Sequence, residues 1–496
     1  MKNRNTRFRI ILHPCLIFNL LFIAISSATA QVVPESYRQQ YTQQRQQHAD
    51  SIDNNFYLYL EQLWEEWELF VGEPRPVRKK PQVQPTYDEP DTLMTDRQVP
   101  YQSQTFINRE TTKEITQEAA DGRLHTIHPN HSATFYGETL IFQVPQGLSA
   151  LHLPGVREKQ VSRLWRQFDL SDMLLDRQLL QYRRDLYLND WGLLMLADSL
   201  SASIYPNLPN EQAVLTVWLM NRMHFDVRLG RIDKRLVVLL HSSHRLYNIP
   251  FIEIDSTRYY ALQSSGKRGR ISTYRQQPYA TNHECDMRLT AAPLLNSDRK
   301  HTAYNRHHED HNIRITSNPR LIAFYASYPQ TELEVYAQAA VSGSLTRQLE
   351  EQLRPYIVGQ STVGALNTLL EYIQEGFSYQ TDIAQFGHEK NFFCEENFYY
   401  PANDCEDRAV LFARMADILL GLDAVLLEYK DHVATAICVP ESRDANYRVL
   451  KRSGIYVELN GQRYYACDPT CHGAHAGQLS RKYRRKTPDI ITIKAN

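Results

Sequence analysis

The pattern of apolar and polar positions is clearest towards the C-terminus. Leu366 to Glu375 carries apolar residues at helical spacing, and a polar loop follows. From Cys405 to about Leu420, the residues Val410, Leu411, Phe412, Met415, Ile418 and Leu419 cover most of a helix circumference, which predicts a buried helix. Asn403-Asp404 offers its N-cap and Gly421 its stop. Alternating or continuous apolar runs then predict strands over Ala424–Tyr429, His432–Val439, Ile455–Leu459 and Arg463–Cys467. Asn460-Gly461 joins the last two as a tight hairpin, because both residues tolerate positive φ. The expected fold class is α+β, a helix followed by antiparallel strands.

The N-terminal pattern differs. Lys2, Arg4, Arg7 and Arg9 precede a mostly apolar run from Ile10 to Ile25, and Ala28-Thr29-Ala30 supplies the small residues of a cleavage site. The apolar run is short and broken by His13, Pro14 and Asn19, so residues 1–30 read as a signal peptide rather than an anchor. Residues 31–95 read as a Gln-rich leader, an amphipathic helix over 50–71 (Phe56, Trp64, Trp67, Phe70) and a linker with five prolines between Pro74 and Pro90. The rest divides into a connecting segment (96–134), a domain over 135–265, a polar connecting region (266–319) and a C-terminal domain (320–496). An exported chain is expected, periplasmic or secreted, with no transmembrane segment once the signal is removed.

Charge and composition narrow the classes. The 496 residues hold 55 Lys+Arg against 56 Asp+Glu, and removing the signal leaves 51 against 56. That balance argues against a binder that tracks nucleic-acid phosphates. With 42% hydrophobic and 11% aromatic residues the chain can bury several cores. Seven cysteines, one of them inside the signal, are too few for a disulfide-stapled scaffold of this length.

One of those cysteines carries candidate chemistry. Cys405 opens the buried helix, where the helix dipole favours the nucleophilic thiolate. His432 opens the second strand, and Asp468 ends the last one before Pro469. Adjacent strands can bring these two side by side, with His432 as general base and acid and Asp468 holding its tautomer. Residues 365–471 resemble the transglutaminase-like superfamily, which uses a papain-type mechanism. The matching stretches are Asn403-Asp404-Cys405-Glu406-Asp407-Arg408-Ala409, Asp431-His432-Val433-Ala434-Thr435-Ala436 and Tyr464-Tyr465-Ala466-Cys467-Asp468-Pro469-Thr470. The resemblance implies that Cys405, His432 and Asp468 are nucleophile, base and orienting acid. Tyr379-Gln380-Thr381-Asp382 and Gln385-Phe386-Gly387-His388-Glu389 are similar to uncharacterised exported bacterial members. Gln385, then Tyr400, are the side-chain candidates for an oxyanion hole.

The middle of the chain repeats the pattern without the chemistry. Glu253 to Ala261 matches Glu458 to Ala466 at five of nine positions, and Ala213-Val214-Leu215 matches Ala409-Val410-Leu411. Pro209, Arg235 and Gln263 then stand opposite Cys405, His432 and Asp468. A degenerate second copy over 135–265 requires a helix near 210–225 packed on strands ending near 260.

Other signals weigh less. The histidines His301, His307, His308 and His311 read as a solvated polar loop. Cys467 and Cys471, near His472 and His475, read as free thiols or a bridge, and the basic run Arg481 to Lys486 as a solvated tail. No cofactor and no metal are expected. The expected function is an exported thiol peptidase or amidase on a protein or peptide substrate, such as a cell-envelope peptide. The alternatives are a crosslinking transglutaminase, or a non-catalytic envelope protein that uses the fold for binding; no nucleic-acid partner is expected.

Overall fold

The computed structural model describes residues 86–87, 115–118, 124–127 and 131–493, apart from 171–173, 263–269, 275–282, 297–299 and 307–311. The expected signal, leader and amphipathic helix lie outside the described residues, as do Gln263, His307, His308 and His311. The architecture is mixed α+β, with eleven α-helices among the described residues and sheets that are antiparallel except for one two-residue pairing.

The middle region is built on two buried helices, α1 (Asp190–Ile204) and α2 (Pro209–Arg222). Asn189 caps α1 by accepting a hydrogen bond from Gly192 N at 3.0 Å. Pro209 stands at the first turn of α2, where its missing N–H costs nothing. The sheet beside them contains β1 (Thr86–Tyr87), β2 (Val227–Ile232), β3 (Arg235–Leu240), β4 (Pro250–Ile254), β5 (Thr257–Ala261) and β6 (Ile271–Thr273). Its strand order is β1-β4-β5-β3-β2-β6.

The C-terminal region contains α3 (Thr362–Gly376), the short α4 (Asp382–Phe386), α5 (Cys405–Leu420) and α6 (Ala445–Ser453). Asp404 is the N-cap of α5 and exchanges hydrogen bonds with Asp407 in a capping box. Gly421 ends the helix at φ 64°, a left-handed conformation that glycine adopts without a Cβ clash. The strands are β7 (Ala424–Tyr429), β8 (His432–Cys438), β9 (Tyr456–Leu459), β10 (Gln462–Cys467) and β11 (Asp489–Thr492), in the order β9-β10-β8-β7-β11. Asn460 and Gly461 turn between β9 and β10 with φ of 52° and 75°, both positive as a type I′ turn needs.

The two sheets share connectivity. After its helix, each region lays its strands in the spatial order third, fourth, second and first, with a later strand beside the first: β4-β5-β3-β2-β6 against β9-β10-β8-β7-β11. Register agrees residue by residue. Leu239 faces Ala261 and Leu240 faces Tyr260, while Ala436 faces Ala466 and Ile437 faces Tyr465. Glu253 faces Arg258, as Glu458 faces Arg463. These pairings equate the same residues that the sequence match equates, including Arg235 with His432.

Alternation along β8 separates two apolar clusters. Val433 and Ile437 join the core under α5, while Ala434 and Ala436 face a smaller cluster closed by Leu479 and Tyr483. Thr435 Oγ1 donates to Ala409 O at 2.9 Å and ties strand to helix. The region 266–319 is more structured than its polarity indicates. Besides β6 it holds a hairpin of His301–Arg306 with Asn312–Ser317, whose Ile313 and Ile315 are buried in the C-terminal core. No helix among the described residues is long and apolar enough to cross a membrane.

Candidate active site

The hairpin of β7 and β8 places His432 beside the end of β10. His432 Nε2 and Asp468 Oδ2 are 3.1 Å apart, and Asp468 is fully buried. The second oxygen, Oδ1, accepts from Thr470 N at 3.2 Å and Cys471 N at 3.1 Å, so the carboxylate is held on both sides. Gln374 on α3 donates to Asp468 O and to Ala474 O, each at 3.0 Å, and fixes the loop that follows. Because Asp468 engages Nε2, Nδ1 is the ring nitrogen left to face a nucleophile.

Cys405 lies at the N-terminus of α5, next to the same strand. Its sulfur receives the backbone N–H of Val433, the residue after His432. No hydrogen bond joins the Cys405 and His432 side chains: Sγ donates to Glu406 Oε2 at 2.9 Å. Burial pushes the Cys405 thiol well up, and the carboxylates of Glu406 and Asp404 add to it. The helix dipole expected to favour the thiolate is therefore outweighed by desolvation and two neighbouring acids. The site as it stands holds a protonated thiol.

Those acids belong to a larger group. A short parallel pairing of Ser378 with Ala402 and Tyr379 with Asn403 draws the segment leading into α4 alongside the approach to Cys405. Asp382 accepts from Lys390 N at 2.7 Å, and Asp407 from Phe392 N at 2.8 Å. Burial and mutual repulsion raise the carboxyls of Asp382, Asp404 and Asp407. Burial, with Asp404 nearby, pushes Glu389 up to about 7. One donor atom each from Asp382, Glu389 and Glu406 lie within 4.8 Å of one another, as do those of Asp382, Asp404 and Asp407 and of Asp404, Cys405 and Glu406. These are the residues that could hold a hard cation. These acids are spread from Asp382 to Asp407 without a ligand spacing that marks them in the sequence.

The two oxyanion candidates differ in surroundings. Gln385 lies on α4, and both polar atoms of its amide are buried without a hydrogen-bond partner. Tyr400 packs edge-on to Phe386 at 5.1 Å and tilted on Phe392 at 5.0 Å, in an aromatic group with Lys390 Nζ 5.5 Å from its ring. Gln385 thus holds a buried donor with no hydrogen-bond partner. Tyr379, not singled out from sequence, is half exposed and has its hydroxyl raised by burial and by nearby Cys405, with the Arg408 guanidinium 5.4 Å from its ring. Its position depends on the parallel pairing, which leaves no mark on hydrophobic periodicity.

The middle region fills the equivalent place differently. Asn210, next to Pro209, accepts from Leu236 N at 2.8 Å and donates to Lys234 O at 3.1 Å. Leu236 is the counterpart of Val433, so an amide side chain takes the N–H that the Cys405 sulfur receives in the C-terminal region. All six cysteines of the described residues are free thiols, Cys467 and Cys471 included. The basic side chains of the run are exposed, and two of them, Lys482 and Lys486, also pair with Asp431. Comparison with family models, curated proteins and solved structures returned no match.

Proposed function

We propose that the chain is an exported, transglutaminase-like thiol peptidase or amidase that acts through Cys405, His432 and Asp468. The observation that carries this reading is the buried His432–Asp468 pair at 3.1 Å on the strand whose next N–H reaches the Cys405 sulfur. Nucleophile, base and orienting acid come from a helix start and two paired strands, as this chemistry needs.

In the reaction, His432 Nδ1 takes the proton from Cys405 Sγ, and the thiolate adds to the substrate carbonyl carbon. The C–N bond breaks as the imidazolium returns its proton to the leaving amine, giving a thioester on Cys405. His432 then deprotonates water, hydroxide adds to the thioester, and the C–S bond breaks as the proton passes back to sulfur. Asp468 holds the imidazole by Nε2 and stabilises its charged form. An amine in place of water would give crosslinking by the same steps. The Cys405 backbone N–H and Gln385 are the donors proposed for the oxyanion. The middle region is proposed as a degenerate copy that binds or scaffolds, a reading supported by the shared strand order and register.

One observation favours the non-catalytic alternative: the thiol is committed to Glu406. Alkylation by iodoacetamide, followed on the Cys405 peptide by mass spectrometry, separates the readings. Catalysis requires that His432→Ala slow the reaction; a rate unchanged by that substitution and equal to that of an ordinary thiol would overturn it. Incubating wild type and Cys405→Ala with envelope peptides, with and without an added amine, then separates hydrolysis from transfer.

A further inference from the structure

We propose that Tyr483, held by the basic turn Arg481–Lys486, is a positioning residue that fixes the plane and tautomer of the His432 imidazole. The proposal rests on the reading of His432 as the catalytic base, and its test is arranged so that the two can fail separately. The Tyr483 ring stacks on His432 with centroids 4.6 Å apart and planes 19° apart. Tyr429, the cross-strand partner of His432, packs on the same tyrosine at 5.0 Å. Tyr483 is itself buried, and with Leu479 it closes the apolar cluster behind β8.

Three contacts to Asp431 and two within the segment hold the turn in place. Lys482 forms an ion pair with Asp431 Oδ2, and Lys486 Nζ lies 3.9 Å from Oδ1 of the same carboxylate. The Tyr483 hydroxyl donates to Asp431 O at 3.4 Å. Arg484 Nε donates to Leu479 O at 2.9 Å, and the turn closes through Tyr483 N to Ser480 O at 3.0 Å. Both ammonium groups also lie over the Tyr483 ring, at 5.3 and 5.0 Å.

The physical consequence concerns one torsion. A histidine at a strand end can rotate about its outer bond and carry Nε2 away from Asp468, which frees the proton to sit on either nitrogen. A flat ring against one imidazole face removes that freedom and keeps water from the Nε2–Asp468 hydrogen bond. The lysines pair with Asp431, the residue before His432, and so fasten the turn that carries Tyr483 to the strand that carries the imidazole. The turn therefore acts on the base through shape, without touching a substrate.

The test uses the purified full chain with Tyr483→Phe, Tyr483→Leu and the Lys482→Gln/Lys486→Gln double variant, each checked for a native thermal transition. Ring 15N NMR of His432 reads the tautomer. Wild type and Tyr483→Phe are expected to show one tautomer with the proton on Nε2, Tyr483→Leu an averaged signal, and the lysine variant a change in the same direction. Iodoacetamide alkylation of Cys405 should slow about tenfold in Tyr483→Leu, stay near wild type in Tyr483→Phe, and show no further loss when Tyr483→Leu is added to His432→Ala. An unchanged tautomer in both Tyr483→Leu and the lysine variant overturns the proposal, and a loss that adds to His432→Ala overturns it as well. If Tyr483→Leu mixes the tautomers while alkylation ignores both it and His432→Ala, the positioning role stands and the hydrolase reading falls. Should Tyr483→Leu lack a native transition, the lysine double variant alone decides.

Discussion

Cys405 is where opposing local forces are easiest to weigh. A helix N-terminus favours a thiolate by an amount typical of a partly screened dipole, about 0.3–1 kcal/mol. Burial and two adjacent carboxylates oppose it and prevail. Glu406→Gln removes one of those charges and the acceptor of the thiol proton, so the Cys405 pKa should fall and alkylation at neutral pH should accelerate; a rate against pH series measures both. The neighbouring acids also set a pH dependence of stability. Glu389 is pushed up to about 7 from an ordinary 4.5, so the folded state holds a proton that the unfolded chain releases. Its contribution is fully present below about 4.5 and is lost as pH rises through about 7. Urea midpoints should fall over that window, and Glu389→Gln should flatten the fall.

At the level of elements, the site depends on how α5 is pinned to β8. Asp404 starts the helix, Gly421 ends it, and Thr435 Oγ1 bonds Ala409 O between them. Thr435 is fully buried, so Thr435→Val keeps the shape and loses one hydrogen bond, at a cost of about 1 kcal/mol by chemical denaturation. The bounds of α5 and β7 were legible in the sequence because capping and turn residues are local chemistry: Asp404 before the helix, Gly421 after it, Asn460-Gly461 in the hairpin. The hairpin of His301–Arg306 with Asn312–Ser317 was not legible. Its polar neighbours hide the alternation of Ile313 and Ile315, which only the C-terminal core makes meaningful. The carboxylate group was hidden for a related reason: Asp382 and Asp404 are distant in sequence and meet through the parallel pairing of Tyr379 with Asn403.

At the scale of the molecule, the described residues fall in one compact unit containing two main cores. Neighbouring residues join them: Phe393 is buried in the first core, stacked on Tyr325 at 4.4 Å, while Cys394 is buried in the second, and Tyr336 and Ala337 divide in the same way. Phe393→Ala should cost about 3–5 kcal/mol. Trp165, Trp191 and Trp218 all lie in the first core, so their fluorescence should report that loss although the substitution is in the C-terminal region. Sequence by itself determined the α5 and strand pattern, the order of Cys405, His432 and Asp468, and the equivalence of the middle and C-terminal strands, because periodicity, caps and turns act over a few residues. Tertiary structure alone decided that Asp468 meets His432 through Nε2, that Glu406 accepts the Cys405 S–H hydrogen bond, that Asn210 fills the corresponding place in the middle region, and that Tyr483 covers the imidazole. Each of those depends on side chains brought together across strands or turns, where direction and burial, rather than spacing along the chain, set the chemistry.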